Sequence, residues 1–268
     1  MSPARKQPFT SLTAKGFDVL LVSHAAGILV QDFPSAITEL EDALSDLELP
    51  ITEIIGSGGG ETKFTQRLRK TLAAKNWTKH VLEISKTVDG VATESTSHEV
   101  DHVRRFKNDG VLAMEIEWNN KDPFFDCDLE NFKRLHAEGA ISVGLLVTRG
   151  ASLQSSMWDA VRRFATDRGI DSFEALARIG YVPTPKQAKN VMKRVTREKD
   201  ALTFADAWTD NFVSNKYGQA TTHWDKLLHR VHRGVGNPCP LALIGLPAAM
   251  VRFDAAPVDA LEDEDLSS

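Results

Sequence analysis

The strongest constraint on the fold is a pair of strand-like segments, residues 99–105 and 111–118, which a short polar turn connects. The turn contains Asp109-Gly110, and an Asp-Gly pair between two such segments is a strong hairpin signal. Side chains alternate along a strand, so Glu115 and Glu117 should project from one face, roughly 7 Å apart at about 3.3 Å per residue. The sequence therefore predicts a β-hairpin with two neighbouring carboxylates on its second strand.

A third carboxylate, that of Asp101, lies near the middle of the first strand and can approach both glutamates. Three carboxylates in one place repel one another and require a compensating cation. Carboxylate oxygens suit Mg²⁺, which commonly lies beside phosphates. The alternative is that Glu115 and Glu117 lie on the solvated face of an edge strand and have no functional role. The apolar run at residues 141–147 indicates a buried central strand, so the sheet continues past the hairpin, which favours the magnesium site.

The composition limits the class of protein. With 268 residues, of which 42% are hydrophobic, the chain can bury one large core or two modest ones. The sequence contains no run of about 18 apolar residues and no basic, apolar leader, so we expect no membrane association and a cytoplasmic location. The two cysteines, Cys127 and Cys239, lack metal-ligand spacing, which fits a reducing compartment.

Charge is unevenly distributed along the chain. Residues 149–235 contain 15 Lys and Arg against 9 Asp and Glu, although the whole chain has a net charge of −5. A basic segment beside a carboxylate cluster is typical of a phosphate-backbone binder with a metal site, and it is also common on plain solvated surface. Five of its basic residues spread over more than one side of a predicted helix, which favours a solvated face and leaves phosphate contact as the alternative. They are Lys186, Lys189, Lys193, Arg194 and Arg197.

The order of predicted elements indicates an α/β protein. From residue 61 the patterns predict a helix, three strands, a helix and a strand, and a helix that joins two strands of one sheet fits a crossover connection. After residue 149 the patterns become mainly helical. We expect a flexible N-terminus at residues 1–16, a single domain at 17–253 with its core at about 56–150 and a mainly helical DNA-binding part at about 151–247, and an acidic tail at 254–268.

A run of glycines at residues 56–60, GSGGG, precedes the first helix of this order. Free backbone N–H groups at such a helix start can hold a phosphate. The run lacks the Lys-Ser/Thr ending of a P-loop and does not match G-x-G-x-x-G. A flexible entry to the helix, close to DNA backbone, is therefore favoured over a nucleotide cradle.

The order α-β-β-β-α-β, with an acidic residue on one strand and a two-carboxylate motif on the next, resembles the PD-(D/E)xK nuclease superfamily. Within it, the chain is most similar to the BglII/BamHI-like type II restriction endonucleases. The residues that carry the resemblance are Asp101 in HEVDHV and Glu115-Ile116-Glu117 in AMEIEW. The segments GGGE and NKYGQATTHWDK also look like that group, and the resemblance covers about residues 17–247.

One departure from the superfamily pattern concerns its usual lysine, which helps to activate water. Glu117 stands in its place, which makes the motif an E-x-E variant that BamHI-like members also carry. Lys121 is four residues further on and cannot take the same place without a loop that turns back. Asp101 is followed by His102, and no proline precedes it, so the literal PD is missing.

The resemblance implies an α/β fold with a PD-(D/E)xK-type core, in which a central mixed β-sheet is flanked by helices, plus a mainly helical C-terminal part. It implies Mg²⁺-dependent hydrolysis of phosphodiester bonds in double-stranded DNA at a short palindromic site. A homodimer is expected because an isologous dimer matches two-fold symmetric DNA.

The same resemblance implies three catalytic residues, Asp101, Glu115 and Glu117. Asp101 and Glu115 are expected to hold the metal ion, which polarises the scissile phosphate. Glu117 would accept a proton from the attacking water, orient that water, or bind a second metal ion, and the sequence leaves these roles open.

Base reading needs amide or fork-like side chains in the major groove. Such side chains follow the catalytic strand and recur in a second polar run near residue 220. The candidate DNA contacts are Asn119, Asn120, Lys121, Asn215, Lys216, Thr221, Thr222, His223 and Lys226.

Two other functions fit the same residues. One is a DNA-binding protein whose degenerate nuclease core no longer cuts, and the intact set of three acids argues against it. The other is a metal-dependent enzyme that acts on a small phosphorylated substrate. The basic segment and the lack of a convincing nucleotide cradle weigh mildly against that function.

Overall fold

The computed structural model describes residues 7–56 and 61–253. Most of the glycine run and the expected acidic tail lie outside the described residues. The helices are α1 (Thr10–Ala14), α2 (Ala25–Asp32), α3 (Pro34–Ser45), α4 (Ile51–Ile55), α5 (Lys63–Ala74), α6 (Phe124–Ala137), α7 (Ala151–Asp167), α8 (Phe173–Arg178), α9 (Pro185–Val195), α10 (Phe204–Lys216) and α11 (Trp224–His232). The strands are β1 (Asp18–Val22), β2 (Leu49–Pro50), β3 (Thr78–Val88), β4 (Val91–Arg105), β5 (Val111–Glu117), β6 (Val143–Arg149), β7 (Leu241–Leu246) and β8 (Val251–Arg252).

Six of these strands form one mixed sheet in the order β1-β7-β6-β5-β4-β3. β5, β6 and β7 pair in parallel at its centre, and the outer strands pair antiparallel. Every residue of β6 and β7 is buried, as expected for central parallel strands that are rich in Leu and Val. The prediction of an α/β fold with a central mixed sheet flanked by helices is confirmed.

The hairpin and the element order around it agree with the sequence analysis. β4 and β5 pair antiparallel, and the N–H of Phe106 donates to the C=O of Gly110 at 2.9 Å to close the turn. Asp109 adopts a φ of 60°, a left-handed conformation that aspartate tolerates better than most residues. α5, β3, β4, β5, α6 and β6 follow one another in the predicted order.

The start of the chain differs from the expectation of a flexible segment at residues 1–16. In the described part of this segment, Thr10–Ala14 form the helix α1. Phe9, just before the helix, and Leu12, within it, are both 0% exposed. Two fully buried apolar side chains fix this segment, although its polar composition hides them in the sequence.

The core also extends beyond the range expected for it, about residues 56–150. β1 and β7 both belong to the six-stranded sheet, and β7 comes from the part expected to be mainly helical. Its sequence, LALIGL, is short and continuously apolar. Periodicity alone does not distinguish such a run from a buried helical segment, so only its pairing with β1 and β6 identifies it as a strand.

The described residues form two compact units. The first contains the six-stranded sheet and comprises residues up to 47, 64–154 and 220–250. The second comprises residues 48–63, 155–219 and those from 251, and it contains α8, α9, α10 and the parallel pair β2–β8. Aromatic rings pack inside the second unit, where Tyr181 lies 5.7 Å from both Trp208 and Phe212 between ring centroids. A single domain at 17–253 stays a prediction.

Gly150, at the end of β6, provides a test of the close packing in the sheet. A Cβ atom there would lie 2.5 Å from Oδ2 of Asp18 and 2.7 Å from the carbonyl oxygen of Leu246. Because a backbone oxygen in a central strand cannot move freely, Gly150→Ala should lower the free energy of unfolding by about 1–3 kcal/mol.

The matched control is Gly27→Ala in α2, where a Cβ would meet no other described atom within 4 Å. It should raise the free energy of unfolding by about 0.5–1 kcal/mol, because glycine is unfavourable inside a helix. Urea unfolding followed by circular dichroism measures both variants. A Gly150→Ala protein as stable as the wild type would contradict the packing of β1, β6 and β7.

Candidate active site

Asp101 lies at an irregularity in the pairing of β3 with β4. Lys79 of β3 is opposed there by two residues of β4, Asp101 and His102. A bulge of this kind changes the direction of the backbone and is common beside active sites. The N–H of Asp101 is directed to β5, where it donates to Oε2 of Glu115 at 3.4 Å. The bulge therefore brings Asp101 close to the first glutamate of the predicted motif.

β5 carries both glutamates of that motif. Glu115 and Glu117 are two residues apart in a regular strand, so they lie on the same face of the sheet. Glu117 is 6% exposed and Glu115 is half-buried. Asn120, which follows the strand, donates from Nδ2 to Oε2 of Glu117 at 2.9 Å. The structure thus brings the two carboxylates together, as side-chain alternation predicts.

The crossover helix α6 adds a fourth acid, Asp128, which the sequence analysis missed as a site residue. Its carboxyl group lies within hydrogen-bonding reach of Glu117. Phe125 and Leu129, on either side of it in the helix, are both 0% exposed. Asp128 follows Phe125 by three residues, so helical periodicity places it near the face that α6 turns to the sheet. This spacing is the signal that could have identified it.

Burial raises the pKa of three of these carboxyl groups. Loss of solvation, followed by repulsion from Asp101 and Asp128, raises the pKa of Glu115 to about 9. Loss of solvation also raises the pKa of Glu117 to about 7, while the donor Asn120 lowers it. The pKa of Asp128 rises to about 8, through burial first and then through the negative charge of Glu117. Without a compensating cation, these groups hold protons near neutral pH.

The chemistry of this cluster fits a hard divalent cation. All four acids offer carboxylate oxygens, and Oδ2 of Asp128 is a buried atom without a hydrogen-bond partner among the described residues. A divalent cation would compensate the repulsion that raises the pKa values. Within residues 7–56 and 61–253, no three His, Cys, Asp or Glu side chains are already arranged as a metal site.

Two polar segments of the first unit, residues 119–121 and 221–226, carry predicted DNA contacts and lie side by side in the fold. Lys121 forms a β-bridge with Thr221, and the N–H of Thr222 donates to the C=O of Asn120 at 2.8 Å. Arg149, which is 0% exposed, donates to Oγ1 of Thr221 at 2.7 Å and to the C=O of Thr222 at 2.6 Å. Arg149 could not be recognised as a site residue from the sequence, because it ends an apolar strand and has no motif around it.

These segments differ in their accessibility. Asn120 and Lys121 are exposed, and Asn119 is half-buried. Thr222 and His223 are 0% and 1% exposed, so neither side chain presents a surface to DNA. Direct DNA contact by these two side chains is therefore not supported by the structure, and their position suits a role in holding the segment.

Lys226 belongs to a charged group that links α11 to the start of α6. Its Nζ lies 3.7 Å from Oδ2 of Asp122. Arg230 contacts the same oxygen at 3.3 Å and donates to Oδ2 of Asp126 at 2.9 Å. The charge of Lys226 is thus partly compensated within the protein.

Asn215 and Lys216 lie in the second unit, at the end of α10. Asn215 is exposed, and its Nδ2 donates to the C=O of Asn211 at 2.6 Å. The ammonium group of Lys216 donates to the C=O of Ile54 at 3.0 Å and to the C=O of Gly56, and burial lowers its pKa to about 8. Lys216 therefore has partners in its own unit, and its contact with DNA stays a prediction.

The six-stranded mixed sheet is consistent with a nuclease fold. Residues 17–246 match the model of one protein family, described as Restriction endonuclease BglII/BglIII, and the chain belongs to that family. It is a type II restriction enzyme, a site-specific deoxyribonuclease that binds DNA and hydrolyses it. Restriction endonucleases of this kind generally use a divalent metal ion. None of the curated proteins compared with the chain matches it.

The family match confirms the family that the sequence analysis identified from Asp101, Glu115 and Glu117. None of the helices in the described part of the chain is long and apolar enough to cross a membrane.

The raised pKa of Glu115 makes the stability of the metal-free protein depend on pH. The folded-state pKa of about 9 lies above the usual 4.5, so the folded protein holds a proton that the unfolded chain has released. The contribution of this group to stability is full below the unfolded pKa and is lost as pH rises through the folded pKa. We expect the melting temperature in EDTA to fall between pH 4.5 and pH 9 for this reason.

Glu115→Gln cannot ionise, so in EDTA at about pH 9 it should melt at a higher temperature than the wild type. Glu83→Gln, at an exposed position on β3, is the control. It should melt at the same temperature as the wild type at both pH values. Thermal melts at low and high pH measure both. Equal melting temperatures of wild type and Glu115→Gln at the higher pH would contradict the raised pKa of the Glu115 carboxyl group.

Proposed function

We propose that this enzyme hydrolyses phosphodiester bonds in double-stranded DNA with Mg²⁺ as its cofactor, at a short palindromic site and as a homodimer. The observation that carries the proposal is the acidic cluster of Asp101 at the β4 bulge, Glu115 and Glu117 on β5, and Asp128 on α6. Without a cation, burial and mutual repulsion of these carboxyl groups disfavour folding. A bound divalent cation would compensate their charge and would supply the metal ion for phosphodiester hydrolysis.

Asp101 and Glu115 are the proposed metal ligands. The hydrogen bond of 3.4 Å from the N–H of Asp101 to Glu115 supports their closeness. When bound, Mg²⁺ would polarise the scissile phosphate and stabilise the negative charge that develops on it. Mg²⁺ suits a site with few protein ligands, because it retains several waters and accepts substrate phosphate oxygens.

Glu117 is proposed to orient the attacking water or to accept its proton. Asn120 donates to the Glu117 carboxylate at 2.9 Å and so fixes its direction, which suits a group that orients water or accepts its proton. Lys121 does not take the place of the usual lysine, because it is exposed and forms a bridge with Thr221. The neighbouring Asp128 supports a second possible role for Glu117, as ligand of a second metal ion.

Base reading is proposed for exposed and half-buried side chains that follow β5. Asn119 and Lys121 carry this proposal, since the amide of Asn120 is already bonded to Glu117. Thr221 supports their loop through the bridge to Lys121. Asn215 is the exposed candidate in the second unit. The palindromic site and the homodimer are proposed together, because two-fold related subunits read two-fold related half-sites.

Cleavage of plasmid DNA tests the proposed metal ligands. The wild type should give discrete fragments with Mg²⁺ and none with EDTA. Glu115→Ala and Asp101→Ala should each reduce the cleavage rate by at least about 100-fold, with unchanged circular dichroism, because each removes an oxygen ligand. Glu83→Ala is the control and should cut like the wild type.

Near wild-type cleavage by Glu115→Ala would show that the metal assignment is wrong. Wild-type protein that binds the plasmid without cutting it would instead favour the alternative function, a DNA-binding protein with a degenerate nuclease core.

The role of Asp128 is tested by Asp128→Asn, which keeps the shape of the side chain and removes its charge. Its neighbour Asp126, which is paired with Arg230, provides the matched control Asp126→Asn on the same helix. Asp128→Asn should lower the cleavage rate by about 10- to 100-fold and raise the Mg²⁺ concentration for half-maximal cleavage. Gel shifts with Ca²⁺ in place of Mg²⁺ should show unchanged DNA binding. Equal rates and equal Mg²⁺ dependence in the two variants would remove Asp128 from the site.

A further inference from the structure

α9 presents a stripe of three lysines, Lys186, Lys189 and Lys193, which we call the α9 lysine stripe. The spacing of three and four residues places them on one side of the helix, and all three are exposed. The basic residues of this segment were expected to spread over more than one side of the helix, and three of the four within α9 share one side. Arg194 alone among the basic residues of α9 points elsewhere, since it pairs with Asp210 of α10 at 2.9 Å.

The α9 lysine stripe is unfavourable at the start of the helix, whereas Lys193 lies in the last turn, where the helix dipole favours a positive charge. Like charges three or four residues apart destabilise a helix. Lys186 lies in the first turn, which contains no acidic residue and where the helix dipole disfavours a positive charge. No carboxylate of the described residues lies within ion-pair distance of any of the three ammonium groups.

Two other helices pair surface cations with carboxylates of their own. Lys133 pairs with Glu130 on α6, and Arg163 pairs with Asp167 on α7. The three lysines of the α9 stripe have no such partners among the described residues. A row of positive charge without acidic partners is suited to a polyanion.

The rest of α9 is firmly held within the second unit. Val191, on the side away from the stripe, is 0% exposed. A capping box fixes the first turn, in which Thr184 accepts from the N–H of Gln187 and the side chain of Gln187 accepts from the N–H of Thr184. With the Arg194–Asp210 pair at the other end, the helix presents its lysines from a rigid base.

We propose that the α9 lysine stripe binds the phosphate backbone of duplex DNA and does so independently of base sequence. The inference rests on the proposed function, since it assumes a DNA substrate in double-stranded form. The three lysines span roughly 10 Å along the helix axis at 1.5 Å per residue, a length that covers more than one phosphate. Lysine ammonium groups act as point charges on phosphate, whereas base reading needs amide or fork-like side chains.

The test compares two triple variants with the same change in net charge. The first is Lys186→Gln, Lys189→Gln, Lys193→Gln. The control replaces by Gln three lysines that already have acidic partners in the first unit, namely Lys15, Lys75 and Lys133. Binding to a labelled duplex of arbitrary sequence is measured in Ca²⁺ at several salt concentrations, and plasmid cleavage is measured in Mg²⁺.

The stripe variant should flatten the slope of log affinity against log salt by about 0.9 for each lysine that contacts a phosphate. The control variant should retain the wild-type slope. The fragment pattern of the stripe variant should stay unchanged, because base reading lies elsewhere, and so should its cleavage rate at saturating enzyme.

Equal slopes for the two variants would overturn the inference while leaving cleavage by the acidic cluster intact. An altered fragment pattern in the stripe variant would also overturn it, since the lysines would then read bases. A failure of the proposed function would give a different result, because the wild-type protein would then not cut plasmid DNA with Mg²⁺. Circular dichroism of both variants checks that α9 remains folded.

Discussion

The parallel pairing of β5 with β6 is the constraint on which the candidate site depends. Two parallel neighbours cannot be joined by a tight turn, so the chain must cross over the sheet, and α6 makes that crossing. The same crossing carries Asp128 over the face from which Glu115 and Glu117 project. The crossover connection therefore brings together acids of β5 and α6, and the β-bulge of β4 adds Asp101.

Two features of the molecule place like charges close together, and each fits the proposed function. The carboxyl groups of the acidic cluster lose solvation and repel one another, which raises the pKa of Glu115, Glu117 and Asp128. The α9 lysine stripe places like charges side by side without acidic partners on the described surface. A divalent cation would relieve the first and a phosphate backbone the second. Unfavourable local arrangements of this kind are typical of functional sites, where stability is lost for activity.

Much of the site was predictable because it depends on local periodicity. Alternation along a strand predicts that Glu115 and Glu117 share a face, and the Asp-Gly turn predicts the hairpin that brings β4 beside them. Asp128 was missed because helical spacing shows only which face of α6 it lies on, and its approach to Glu117 depends on the position of α6 over the sheet. Arg149 was missed because its contacts with Thr221 and Thr222 join residues 72 and 73 positions apart in the chain.

The sequence by itself determined the family, the α-β-β-β-α-β order and the three motif acids, because each is expressed within a short stretch of chain. Only the tertiary structure decided that β1 and β7 complete the sheet, since a short apolar run has no periodicity that distinguishes strand from helix. It also decided which polar residues are accessible. Thr222 and His223 look like DNA contacts in the sequence, yet packing buries both, because burial depends on what the distant parts of the chain place around a residue.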